Sequence, residues 1–202
     1  MINARIDARR QSVAYEEGGA SAISVLTEPA SFGGSDADVR QVKAASSLPV
    51  LKKDFHVSEL QLIEARQLGA SAALVIVRAM EPARVMVLAS AARDIGLEVV
   101  FEIRDENELR VALDAGAEII GVNNRNLETL EIDSTTVERI VPLIPGSCVA
   151  IAESGYSTRQ HIEAAAHSGA DAVLVGSSIS AAENPAAAVM ELTGVPTTSL
   201  RR

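Results

Sequence analysis

A chain of 202 residues is long enough to bury a full hydrophobic core, and no linker or shift of composition divides it, so one domain over residues 1–202 is expected. Its apolar content of 48% comes mainly from Ala, Val, Ile and Leu, with no Trp, two Tyr and three Phe, which excludes a disordered chain and suits an Ala-rich α/β core. The formal net charge of -9 argues against partners that are nucleic acids or anionic membranes, while local cations can still hold a small anion.

The opening "MINARIDARRQ" lacks a hydrophobic signal region and no apolar run reaches membrane-spanning length, so a cytoplasmic location is expected. Helical periodicity then predicts a helix at 10–18, followed by a strand at 22–28 ending in "SVLTE". A helix at 36–46, with "SDADVRQVKAA" offering an N-cap, leads to the strand 49–55, "PVLKKDF". The same alternation continues with a helix at 57–68, a strand at 71–77, a helix at 82–94 and a strand at 97–103. Acidic first-turn residues and a terminal Gly116 frame a helix at 105–115, and the strand 118–124 carries "IIGVNN". Helices at 133–142, 157–168 and 184–192 alternate with strands at 148–154 and 171–177. Cys148, the single cysteine, lies in an apolar run and reads as a small buried side chain.

Glycine before a short β-rich run recurs in "GGASAISVLTE", "GASAALVIV", "GLEVVFEI", "GAEIIGVNN" and "GADAVLVGSS", as expected of helix C-caps that lead into strands. Seven nearly continuous apolar strands alternating with helices predict a parallel sheet covered by helices. Polar residues end almost every strand, which favours a TIM-type (β/α)8 barrel with seven recognisable strands over an open sheet with one switch point.

The strand ends hold the candidate chemistry. Lys53 can donate a proton or bind an oxyanion, a surface salt bridge being the alternative, and the adjacent Lys52 points the other way. Glu102, inside an apolar strand, can accept a proton opposite Lys53 or form an internal structural ion pair; Glu28 closes the first strand and is a candidate for binding substrate, with an internal ion pair as its alternative. Asn123 and Arg125 can hold a carboxylate or hydroxyls, unless they only shape a turn. Glu153 and Ser154 repeat the pattern in "VAIAESG", where Gly155 gives the loop room to approach a ligand. Gly176 and Ser177, before a short helix, can cradle phosphate through backbone donors or make an ordinary turn. Phe32 in the Gly-rich "ASFGGSD", with Phe55 and Leu74, can line an aromatic pocket or pack as plain core. His56, His161 and His167 form no convincing metal cluster, and no metal is expected.

Taken in order, "YEEGGASAISVLTE", "FGGS", "PVLKKDF", "FEIRDENEL", "IGVNNRNLETLEID", "IAESG" and "VLVGSS" resemble the indole-3-glycerol phosphate synthase family from about Tyr15 to Val189. The resemblance implies a (β/α)8 barrel that uses no cofactor or metal. It implies conversion of 1-(2-carboxyphenylamino)-1-deoxyribulose 5-phosphate, a phosphorylated anthranilate-derived ribulose, into indole-3-glycerol phosphate, carbon dioxide and water in tryptophan biosynthesis. On this match Lys53 is the general acid and Glu102 the general base. Asn123, Arg125, Glu153 and Ser154 fall at active-site or substrate-binding positions, Gly176 and Ser177 in the phosphate site, and Phe32, Phe55 and Leu74 around the aromatic ring.

The family's first barrel strand, of the type "E-x-K-x-x-S-P", has no counterpart in this sequence. A barrel short of one strand exposes two backbone edges, so self-association or an N-terminal completing partner is expected to cover them. The alternative to an active lyase is a noncatalytic phosphosugar-binding or regulatory remnant of the family.

Overall fold

All seven expected strands form, each trimmed by a residue or a few at its ends. The computed structural model describes residues 6–198. The chain runs α1 (Ala8–Glu17), β1 (Ile23–Leu26), α2 (Pro29–Phe32), α3 (Asp36–Ala45), β2 (Val50–Lys53), α4 (Glu59–Gln67), β3 (Ala72–Ile76) and α5 (Pro82–Asp94). It continues through β4 (Glu98–Ile103), α6 (Glu106–Asp114), β5 (Ile119–Asn123), α7 (Thr135–Ile140), β6 (Val149–Glu153), α8 (Arg159–His167), β7 (Ala172–Leu174), α9 (Ser177–Ser180) and α10 (Pro185–Leu192). The four-residue helix α2 is an addition, since one turn is too short to leave a periodic signature, and α9 is the short helix expected at Gly176 and Ser177. Phe32 accordingly ends a helical turn and does not lie within a wholly irregular loop.

Local chemistry sets these boundaries. Asp105 accepts hydrogen bonds from the amides of Asn107 and Glu108, and Thr158 from that of His161, satisfying donors that a helix start leaves unpaired. Ser35 holds the N-cap position of α3, but its hydroxyl donates to the Asp38 carboxylate instead of accepting from the backbone. Gly116 and Gly169 follow α6 and α8 with φ of 78° and 95°, the left-handed turn that ends a helix and sends the chain straight into a strand.

The strands form one sheet in sequence order, β1 to β7, all parallel. In a flat sheet β2 and β6 would lie about 19 Å apart, beyond the joint reach of a lysine and a glutamate. Lys53 of β2 nevertheless stands 3.1 Å from Glu153 of β6, so the sheet curls until its interior faces meet. Side chains sort by parity along each strand. Leu51, Leu74, Ile76 and Val100, with Ile119, Ile151 and Leu174, fill the interior. Their neighbours Val50, Ala73, Val75, Val99, Ile120 and Ala150 pack outward against helix residues such as Val39, Leu62, Leu88 and Ile140. No helix among the described residues is long and apolar enough to cross a membrane.

Closure is incomplete, because among the described residues no ladder joins β7 back to β1. The flanking strands are accordingly less buried, with Ser24 and Ala172 exposed. Outside this seam α1 packs against both α3 and α10 and spans the two flanks. Its end approaches α10 so closely that a Cβ built on Gly18 would lie 2.6 Å from the Ala186 carbonyl oxygen and 2.7 Å from Val189 Cβ. Gly18 has ordinary helical φ, so the constraint is space and not backbone conformation. Gly18→Ala is therefore expected to cost about 1–3 kcal/mol by overpacking, read as a lower urea midpoint with an unchanged slope.

Candidate active site

Three ionisable side chains meet inside the curled sheet near the C-terminal ends of β2, β4 and β6. The Lys53 ammonium lies 2.8 Å from Glu102 Oε2 and 3.1 Å from Glu153 Oε2. Asn123 of β5 donates to the other Glu102 oxygen at 3.0 Å. Glu102 and Glu153 are almost fully buried, whereas a fifth of the Lys53 side chain meets solvent, so the cluster is approached from the lysine. Isolated charges at such depth would cost several kcal/mol each, and mutual pairing is what allows them here.

Burial and pairing push the three groups in different directions. Burial favours the neutral form of Glu102, but Lys53 and the Asn123 amide outweigh it and hold the carboxyl below its usual range. Burial dominates at Glu153; the charge of Glu102 adds to it, and attraction to Lys53 offsets only part, so its pKa is pushed up to about 7. Burial would lower the Lys53 pKa, yet the two acids together hold it well above its ordinary value. The resting cluster near neutral pH is thus a lysine cation, an ionised Glu102 and a Glu153 that titrates.

Beyond this cluster the other expected residues lie at or after the strand ends, except Leu74 within β3. Arg125 stands just past β5, its amide accepted by Asn123 Oδ1 at 2.9 Å and its guanidinium donating to the Leu130 carbonyl at 3.0 Å. Ser154 adopts φ of 67° and Gly155 φ of 90°, a turn that swings the β6 end away from the strand axis. Gly176 and Ser177 lie exposed at the start of α9, and a Cβ at Gly176 would meet nothing within 4 Å. Phe32 and Phe55 are 39% and 45% exposed, while Leu74 is buried in the interior. Glu28 is not brought to Lys53 by any hydrogen bond or ion pair: its carboxylate caps α2 by accepting from the amides of Ala30 and Ser31.

Lys52 faces outward, as its place beside Lys53 implies, while several further supporting residues escape a reading confined to strand ends. Asn124, one residue past Asn123 and pointing oppositely, donates to the Ser154 carbonyl and the Tyr156 hydroxyl and accepts from the Val137 amide. It thereby ties the loops after β5 and β6 together. Lys52 is buried on the outward face, 2.8 Å from Asp54 and 3.5 Å from Asp36, and Thr27 donates to the same Asp54 oxygen. His56 is buried with its Nδ1 2.8 Å from the Leu74 carbonyl oxygen. Arg78 pairs with Glu108 at 3.1 Å, and together with Arg104, Arg125 and Asn123 it lines a narrow crevice beside Glu102. For Asn124 the sequence signal was parity, since it neighbours Asn123 and takes the opposite face; Arg78 and Arg104 neighbour no residue already marked and lie outside the strands, so parity gave no signal for them.

A profile of the family described as indole-3-glycerol phosphate synthase matches residues 1–192. An indole-3-glycerol phosphate synthase of Streptomyces griseus subsp. griseus is 50% identical over 178 residues, 88% of this chain and 66% of that protein. Those of Kineococcus radiotolerans and Chlorobium phaeovibrioides are 48% and 46% identical, over 88% and 84% of this chain and 65% and 66% of their own lengths. The chain therefore spans just under two thirds of the length of these three relatives. At the level of fold alone, a mandelate oxidase structure with (S)-2-phenylpropionate superposes with a TM-score of 0.70 at 18% identity, over 92% of this chain and 64% of that one. The Amycolatopsis orientalis BexX/CysO complex gives a TM-score of 0.66 at 18% identity, over 95% and 84%.

The titration of Glu153 has a consequence for stability. Its carboxyl rises from an ordinary 4.5 to about 7 on folding, so the folded state holds the proton more tightly. The stabilisation is complete below about pH 4.5, declines as pH rises and is lost above about 7. Glu102, with its lowered pKa, acts in the opposite sense, losing its contribution as pH falls. Urea melts from pH 4 to 8 are expected to show wild type losing stability relative to Glu153→Gln between about pH 4.5 and 7.

Proposed function

The chain belongs to the indole-3-glycerol phosphate synthase family, and from that membership we propose that it cyclises and decarboxylates 1-(2-carboxyphenylamino)-1-deoxyribulose 5-phosphate in tryptophan biosynthesis. The observation that carries this reading is a charged lysine held between two acids at the strand ends. Ring closure forms a carbon–carbon bond at the ribulose-derived carbonyl, whose oxygen becomes an alkoxide unless protonated, and Lys53 supplies that proton. Breaking the bond to carbon dioxide returns an electron pair to the ring and restores aromaticity. Loss of water then breaks the bond to the hydroxyl, which leaves protonated by the lysine once solvent has recharged it, and Glu102, ionised by its lysine and amide partners, takes the proton from the adjacent carbon.

In this reading Arg125 and Asn123 receive the anthranilate carboxylate, Gly176 and Ser177 the phosphate, and Phe32, Phe55 and Leu74 flank the aromatic portion. Glu153, Ser154 and Gly155 shape the opposite wall. Glu28, occupied as a helix cap, contributes by fixing the α2 turn that carries Phe32. The catalyst works by positioning and matched proton transfer, and it operates in the cytoplasm.

The open seam between β1 and β7 favours one further reading. The chain then binds its phosphorylated substrate but turns it over only once self-association or an N-terminal completing partner covers the edges. Light scattering over a range of concentrations separates the cases: a monomer with full turnover removes the need for a partner, and activity that rises with assembly supports it.

The direct test is appearance of the indole product from the purified chain and the synthetic substrate. Lys53→Ala and Glu102→Gln are each expected to reduce turnover by at least about 100-fold, the scale of a lost general acid or base. Unchanged turnover in either variant removes the role assigned to that residue.

A further inference from the structure

Glu153 reaches its place in the cluster through a gap in the neighbouring strand. Its ladder partner on β5 is Asn123, but its carboxyl leans back over Gly121, two residues earlier on the same inward face. A Cβ built on Gly121 would lie 2.0 Å from Glu153 Oε1 and 3.1 Å from its carboxyl carbon. The third nearest atom would be Val100 Cγ1 at 3.4 Å, an ordinary contact. Gly121 has no left-handed φ that would require glycine on conformational grounds. What excludes a side chain there is the Glu153 carboxyl.

The seat has a distinct chemistry. Oε1 of Glu153 is buried and has no hydrogen-bond partner among the described residues, while Oε2 faces Lys53. Glu102 is the ladder partner of Gly121 on the other side, so the empty position at 121 lies between the two acids.

We propose that Gly121 is a positioning residue: the missing side chain is the slot that seats the Glu153 carboxyl beside Lys53, so that one lysine faces two acids. The inference deepens the proposed lyase reaction and rests on it for its catalytic meaning, but the slot itself is a property of the folded chain. A methyl group at 121 pushes the flexible carboxyl end and not the backbone, so Gly121→Ala is accommodated by turning Glu153 out of its seat. The lysine then pairs with Glu102 alone, and Glu153 loses both its slot and its shared partner.

The experiment follows the glutamate carboxyl carbons by NMR through a pH titration of the purified chain without substrate. Glu153→Gln assigns the Glu153 signal. In Gly121→Ala the Glu153 midpoint is expected to move by about one unit or more, and the pH profile of turnover to move with it. A midpoint left where wild type has it overturns the proposal. If Gly121→Ala does not fold, the doubly substituted Gly121→Ala, Glu153→Ala chain is expected to fold, because the obstructing carboxyl is gone; failure of both overturns the proposal. Absence of turnover in the wild-type chain would count against the lyase reading alone, since the titration decides the slot independently.

Discussion

An ammonium group inside a barrel mouth has to be neutralised, and that requirement organises the interior of this protein. Lys53 recruits Glu102 from two strands away and Glu153 from four, and both contacts exist only because the sheet is curled. With Glu102 ionised, a proton on Glu153 brings the three groups to no net charge, which favours that proton and raises the Glu153 pKa to about 7. In a closed eight-stranded barrel, each interior layer takes four side chains from alternate strands. Here β2, β4 and β6 supply three, and the fourth place of the layer falls in the seam between β7 and β1.

Adjacent residues on one strand divide the labour between two faces. Lys53 looks into the barrel while Lys52 looks out, binding Asp54 and Asp36 and so holding the segment after β1 against the end of β2. Asn123 holds Glu102, and Asn124 joins the loops after β5 and β6. The inward residues set the chemistry, and the outward ones fix the loops that would surround a substrate. A substitution at Lys52 or Asn124 thus acts on the mouth through geometry without touching the charged cluster.

The fold was legible because its signals are local. Apolar runs of strand length, helical periodicity and glycines at helix ends place every strand within a few residues, and the polar strand ends mark which face carries the site. Pairing of Lys53 with Glu102 followed from the difficulty of leaving an acid alone in an apolar strand. Glu28 was harder, since an acid at a strand end reads like the others. Yet Glu28-Pro29 is also a helix-start pattern, and the backbone donors of Ala30 and Ser31 win the carboxylate. The proton on Glu153 and the slot at Gly121 could not be read, because both arise from neighbours on other strands.

That nonlocal arrangement is what distinguishes two acids of the same type. Glu102 has a lysine and an amide donating to its two oxygens, so its charge is welcome. Glu153 shares the lysine, but its second oxygen has no hydrogen-bond partner among the described residues, and burial raises its pKa to about 7. Separating the affinities of two carboxyls by environment gives one site a proton acceptor and a proton holder at the same pH. The separation needs no difference in side-chain chemistry, only an amide on one strand and a missing methyl group on the next.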